Sequence, residues 1–332
     1  MTSLVGHAAA QSAFLAALHG GAMHHAWLLA GPEGVGKATF ARAAALRMLA
    51  EASGGPPLPT GLHVPEGHPA RSLVEAGSHP DLRVLTRLTK TSESGGETVA
   101  RSITIDQVRS LLPMFATTPS LGSRRVVVID AIDDLERGGA NALLKSLEEP
   151  PAGTVFLLVS HAPGRLLPTI RSRCRLLRFS TLGEEEVRQV VRAALPEANE
   201  EEVAATARAG EGAPGRALRF AGLDVASIDA AVERIMRGGD PANAERIRLA
   251  QALSSKAAQP RYEAFLDRAP AAIAAAARTR TGADLRTALD AHRDARELAG
   301  AALGLSLDAR ATVFEMGGVL ARLATHAPSP RP

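Results

Sequence analysis

Residues 31–37 read Gly-Pro-Glu-Gly-Val-Gly-Lys, and the glycines and the lysine have the spacing of a phosphate-binding loop. Gly31, Gly34 and Gly36 would let backbone N–H groups wrap around phosphate oxygens, because glycine leaves room for close approach. Lys37 would reach the terminal phosphates. The pattern predicts a nucleotide-binding site.

Two positions of this site carry alanine where hydrolysis needs a functional group. Ala38 stands where a Ser or Thr would hold Mg²⁺, and Thr39, one residue further, should point elsewhere. Asp130 ends an apolar run and is placed to support a metal, but Ala131 follows it where many P-loop ATPases have a second acid. We keep Thr39 and Asp130 as candidate nucleotide-site residues and expect no efficient hydrolysis and no metal site. Whether ATP or ADP binds without hydrolysis stays open.

The elements that must position these residues are strands alternating with helices. Residues 26–30 predict a strand before the glycine loop, and residues 37–49 have the apolar spacing of a helix after it. Residues 125–130 and 154–159 are continuous apolar runs, which are typical of strands buried on both faces. We therefore predict an α/β P-loop domain with a parallel sheet.

Beyond Phe179 the sequence shows only helical periodicity. We predict three domains: a nucleotide-binding-like domain at 1–179, a small helical lid domain at 180–236 and an all-helical C-terminal domain at 237–332. The Gly-, Pro- and His-rich stretch 53–80 is expected to be an inserted loop of unknown role.

Composition narrows the function classes. Hydrophobic residues make up 45% of the 332 residues, enough for two or three cores, and no apolar run is long enough to cross a membrane. The N-terminus has no export signal, so we expect a cytoplasmic protein. Cys174 is the only cysteine, which argues against a disulfide and against a typical zinc site.

Four further tracts carry a family resemblance. Residues 141–151 read Asn-Ala-Leu-Leu-Lys-Ser-Leu-Glu-Glu-Pro-Pro, Ser160 is the polar end of a strand, and residues 172–174 read Ser-Arg-Cys. Residues 212–218, Gly-Ala-Pro-Gly-Arg-Ala-Leu, follow later. In order and spacing they resemble the clamp-loader branch of the AAA+ ATPases, and the resemblance covers nearly the whole chain.

The resemblance implies roles for two arginines. In this family the Ser-Arg-Cys arginine reaches into the ATP site of a neighbouring subunit, so Arg173 is expected to act in trans. Arg216 matches the family's sensor-2 position and would belong to the chain's own nucleotide site. The four cysteines of the family's zinc module are absent from residues 53–80, so we expect no zinc.

The resemblance also implies a place in a larger assembly. With its damaged nucleotide site the chain is similar to a non-hydrolysing subunit of the bacterial DNA polymerase III clamp loader, part of a DNA-directed DNA polymerase holoenzyme, a nucleotidyltransferase. The implied partners are other clamp-loader subunits (gamma or tau, and delta), the sliding clamp, and primed DNA within the complex. No membrane partner is expected.

Two other functions stay open at this point. An active, gamma-like ATPase subunit of the same loader would need Ser or Thr at Ala38 and an acid at Ala131. A P-loop kinase or other phosphotransferase would share the glycine loop, but the long helical tail and the tract 172–174 argue against it. ATP hydrolysis and phosphoryl-transfer assays would separate the three.

Overall fold

The computed structural model describes residues 4–21, 23–91 and 97–324. The chain divides into two compact units, Met1–Arg219 and Phe220–Pro332. The first unit includes most of the predicted lid domain, and the division into three domains stays a prediction.

The first unit is built around one parallel sheet. Its strands are β1 (Ala26–Ala30), β2 (Leu82–Leu85), β3 (Thr89–Thr91), β4 (Glu97–Val99), β5 (Arg125–Asp130), β6 (Thr154–Ser160) and β7 (Arg175–Arg178). Five of them form the parallel sheet in the order β2-β5-β6-β1-β7, whereas β3 and β4 form an antiparallel pair.

Helices cover both faces of the sheet. The helices of the first unit are α1 (Ala8–His19), α2 (Lys37–Ala52), α3 (Pro69–Glu75), α4 (Ile105–Arg109), α5 (Leu112–Phe115), α6 (Arg137–Glu148), α7 (Pro168–Arg171), α8 (Glu184–Ala194), α9 (Glu200–Ala209) and α10 (Pro214–Phe220). Of these, α8, α9 and α10 share a separate small apolar core. On one face Trp27 and Leu29 of β1 pack with Phe14 of α1 and Phe40 of α2. On the other face Leu28 belongs to a core that includes residues of α4 and α6. Because β1 is covered on both faces, it is a continuous apolar run, as parallel strands usually are.

The second unit consists of helices in the part that the structure describes. They are α11 (Val225–Gly238), α12 (Ala244–Leu253), α13 (Gln259–Ala277), α14 (Gly282–Leu305) and α15 (Ala309–Ala321). Helix α12 packs against α15, and α13 packs against α14. The predicted fold class, a P-loop α/β domain with a parallel sheet followed by helices, is confirmed.

The stretch 53–80 is more ordered than a plain inserted loop. It contains α3, and Val64 and Ala70 pack against Leu46 and Ala50 of α2 in a small apolar core. The sequence did not reveal α3 because the segment buries few apolar residues, too few to show a helical period. That the stretch is an insertion stays a prediction.

Among the described helices, none combines the length and the apolarity that a bilayer crossing requires.

Candidate functional site

The glycine loop lies where the sequence predicts it, between the end of β1 and the start of α2. Gly34 and Gly36 have φ angles of 78° and 108°, which residues other than glycine rarely adopt. A Cβ on Gly31 would lie 2.1 Å from the carbonyl oxygen of Phe179, so this position has no room for a side chain. The loop therefore needs glycine at all three positions for its backbone path and its packing.

Lys37 is held by the backbone of its own loop. The side chain is 2% exposed, and Nζ donates hydrogen bonds to the carbonyl oxygens of Gly31, at 2.8 Å, and of Pro32. Burial lowers the pKa of Lys37 to about 8, although the nearby carboxylates of Glu33 and Asp130 work against this shift. Phosphate bound in the loop would have to compete with these two carbonyls for the ammonium group.

Acidic residues lie at and after the end of β5, and one of them, Asp133, is held in hydrogen bonds to another strand end. Asp130 is the last residue of β5, and Ala131 after it is buried. Asp133 accepts a hydrogen bond from Ser160 Oγ at 3.0 Å and from the backbone N–H groups of residues 161 and 162, at 2.7 and 3.1 Å. Asp133 thus caps the end of β6, and no acid occupies the position directly after Asp130.

The first turn of α2 does not provide the usual magnesium ligand. Ala38 and Thr39 are both half-buried there, and consecutive helical residues point about 100° apart. A methyl group at residue 38 cannot coordinate Mg²⁺, so the residues present do not fit the metal site of a P-loop ATPase. Over the described ranges, no three His, Cys, Asp or Glu side chains cluster closely enough to hold a metal ion.

Helix α10 begins directly against the glycine loop. The N–H of Gly215 donates to the carbonyl oxygen of Gly34 at 2.8 Å, and a Cβ on Gly34 would lie 2.9 Å from the Arg216 nitrogen. The Arg216 side chain donates to Glu211 Oε2 at 2.9 Å. These contacts place Arg216 beside the glycine loop.

Arg173 and the glycine loop lie at opposite ends of the parallel strands. In the register of the parallel strands β1 and β7, Trp27 is opposite Arg175 and Ala30 is opposite Arg178. The glycine loop follows the carboxyl end of β1, whereas Arg173 precedes the amino end of β7. Because the strands are parallel, about 10 to 15 Å of strand separates the two positions, and the fold does not bring Arg173 to the chain's own glycine loop.

A comparison with protein families matches residues 6–183, about half of the chain, to the family described as DNA polymerase III, delta subunit. The chain belongs to this family. The family prediction made from the glycine loop and the Ser-Arg-Cys tract is confirmed.

Individual proteins similar to this DNA polymerase III family member match it to different extents. DNA polymerase III subunit delta' of Pseudomonas aeruginosa is 41% identical over 165 residues, which are 49% of this chain and 46% of the relative. Subunit tau of Escherichia coli is 33% identical over 219 residues, 64% of this chain and 31% of the relative. A gamma-subunit-related protein of Thermotoga maritima has a solved structure with a TM-score of 0.41 at 19% identity, covering 90% of this chain and 94% of that one. The chain spans less than half the length of these two sequence relatives.

The structure of this family member brings most of the predicted residues together. Six of them lie on the glycine loop, on the first turn of α2 or on the facing helix: Gly31, Gly34, Gly36, Lys37, Thr39 and Arg216. Asp130 lies at the carboxyl end of β5, close enough for its charge to act on Lys37. Their role in binding a nucleotide stays a prediction, as does the role of Arg173.

Sequence reasoning missed two loop contacts of this family member. His7 Nε2 donates to the carbonyl oxygen of Val35 at 2.7 Å, and its ring lies 4.9 Å from that of Phe179. Arg219 forms an ion pair with Glu33 at 3.2 Å. Neither residue belongs to a motif, and both partners are distant in sequence, so no local pattern could have revealed them.

Proposed function

We propose that this chain is a delta'-type subunit of a DNA polymerase III clamp loader that does not hydrolyse ATP itself and that supplies Arg173 to the ATP site of a neighbouring subunit. The observation that carries the proposal is the position of Arg173 near the amino ends of the parallel strands, whereas the chain's own glycine loop follows their carboxyl ends. An arginine so placed can complete a nucleotide site only on another chain.

The composition of the chain's own site supports the non-hydrolysing half of the proposal. Ala38 and Ala131 remove the metal ligand and the water-orienting acid, and these are separate requirements of ATP hydrolysis. The Lys37 ammonium group donates hydrogen bonds to loop carbonyls, and the Asp133 carboxylate accepts hydrogen bonds from residues at the end of β6. These features also argue against the two alternatives, an active gamma-like ATPase and a P-loop phosphotransferase.

The proposed neighbours are the ATPase subunits and delta of the loader. Relatives named delta' and tau support a place in that assembly. Contacts with the sliding clamp and with primed DNA, made as part of the complex, belong to the same proposal, as does a cytoplasmic location. Any ATP or ADP held by the glycine loop would act as a bound ligand rather than as a substrate.

Steady-state ATP hydrolysis by the purified chain tests the non-hydrolysing role. We expect no turnover above background, with or without primed DNA and Mg²⁺, and we expect the chain to co-purify with tau, delta and the sliding clamp. Turnover by the chain alone at the rate of an assembled loader would show that Ala38 and Ala131 do not disable the site.

A further inference from the structure

Three acceptors of the same chain surround the Arg173 guanidinium. Nη1 donates to the carbonyl oxygen of Thr169 at 2.9 Å and to Ser172 Oγ at 3.4 Å. Nη2 forms an ion pair with Glu148 Oε1 at 2.7 Å. Thr169 and Ser172 are close to Arg173 in sequence, but Glu148 comes from α6, so this carboxylate connects the arginine to a separate element.

The backbone around this ion pair is anchored. Leu147, next to Glu148, and Ile170, in α7, are each 1% exposed and belong to the same hydrophobic core. The carbonyl oxygen of Leu147 accepts a hydrogen bond from His25 Nε2 at 3.0 Å, which ties the end of α6 to the start of β1. The carboxylate is therefore presented from a fixed point of the domain.

We propose that Glu148 is a positioning residue, whose carboxylate holds the Arg173 guanidinium in the orientation in which it meets the phosphates of the neighbouring subunit's nucleotide. This inference rests on the proposed function of Arg173. The side chains are 33% (Arg173) and 48% (Glu148) exposed, so the pair contributes little to stability. Its effect lies in limiting the rotamers of a long side chain before the phosphates arrive. Protein kinases use the same device, since a lysine–glutamate ion pair positions their ATP-binding lysine.

The test uses the reconstituted loader and a double-mutant cycle. Loaders carrying Glu148→Gln, Arg173→Ala or both are compared with wild type in kcat and KM for ATP hydrolysis. We expect Glu148→Gln to lower kcat about fivefold, the loss expected from one partly exposed charged contact, with little change in KM. In the Arg173→Ala background Glu148→Gln should have no further effect, because both substitutions act through the same side chain.

Glu149 provides the matched control. It is the next residue, it is also exposed, and it has no ion pair within the described chain, so Glu149→Gln makes the same chemical change without touching Arg173. Glu148→Asp keeps the charge and should lie between wild type and Glu148→Gln. Gel filtration and thermal melting establish that each variant folds and assembles.

Each outcome bears on one proposal. If Arg173→Ala slows hydrolysis while Glu148→Gln matches Glu149→Gln, the positioning role is wrong and the proposed function stands. An equal loss from Glu148→Gln in both backgrounds, or a faster rate, would also overturn the positioning role. If Arg173→Ala itself has no effect, the proposed function fails.

Discussion

At the scale of single residues, Lys37 is the most informative side chain of the candidate nucleotide site. Its amine is buried, and burial lowers its pKa from the ordinary 10.5 to about 8. Below pH 8 the amine is charged in both the folded and the unfolded chain, so folding includes the cost of burying the charge. Between pH 8 and 10.5 the folded form is neutral and the unfolded form is charged, and the cost diminishes as pH rises.

This linkage predicts a pH-dependent effect of removing the amine. Lys37→Met keeps an unbranched side chain and should increase the free energy of unfolding by about 1 to 3 kcal/mol at pH 7, with most of the gain lost by pH 10. Urea unfolding at both pH values measures it, with the exposed Lys145→Met as control. A difference from wild type that is the same at both pH values would contradict the assignment of the shift to Lys37.

A second prediction at this scale separates binding from catalysis. Under the proposed function, Lys37→Ala and Arg216→Ala change a site that does no chemistry, so clamp loading by the reconstituted complex should stay within about twofold of wild type. Arg173→Ala should lose much more. Loading rates of the three complexes decide the matter, and a loss from Lys37→Ala as deep as that from Arg173→Ala would show that the chain's own site is used.

At the scale of elements, close backbone approaches fix the glycine loop between its neighbours. Gly31 packs against the Phe179 carbonyl after β7, and Gly34 packs against the start of α10. These approaches depend on the absence of a Cβ rather than on any side-chain contact.

Gly31→Ala should accordingly be among the most destabilising single substitutions in the first unit. The new methyl group would overlap the Phe179 oxygen, and we expect a loss of about 3 kcal/mol in the free energy of unfolding. Gly164→Ala, where a Cβ meets nothing within 4 Å, should change it by less than about 0.5 kcal/mol. Chemical denaturation of both variants measures the difference, and similar small losses would refute the close packing.

Local patterns predict some elements and not others. The capping box of α4 is present, since Thr104 Oγ1 accepts from the Gln107 N–H and Gln107 Oε1 accepts from the Thr104 N–H. The buried strands and the glycine loop also follow from local spacing. Helix α3 does not, because its seven residues are too few for a period and its cap is His68, an uncommon capping residue.

At the scale of the whole molecule, the separation of Arg173 from the glycine loop comes from strand order, which no local pattern encodes. Local patterns identify the glycine loop and the Arg173 tract separately. Their placement at opposite ends of the strands follows only when β7 is known to lie parallel beside β1. The sequence suggests the proposed role of Arg173 in a neighbouring subunit only through a family resemblance. The distance between Arg173 and the chain's own glycine loop supports that proposal independently. The hydrogen bond from His7 to the carbonyl oxygen of Val35, 28 residues away, is likewise visible only in the folded chain.

The rate of ATP-driven clamp loading by a complex carrying Arg173→Ala tests the central claim most directly. We expect gel filtration to show an intact complex and loading to slow at least about tenfold, because under the proposed function the substitution removes transition-state charge stabilisation from a neighbouring site. Arg173→Lys should restore little, since an ammonium group lacks the planar fork that spans two phosphate oxygens. Arg171→Ala, at an exposed arginine two residues away, should load at the wild-type rate. An intact Arg173→Ala complex that loads clamps as fast as wild type would contradict the account.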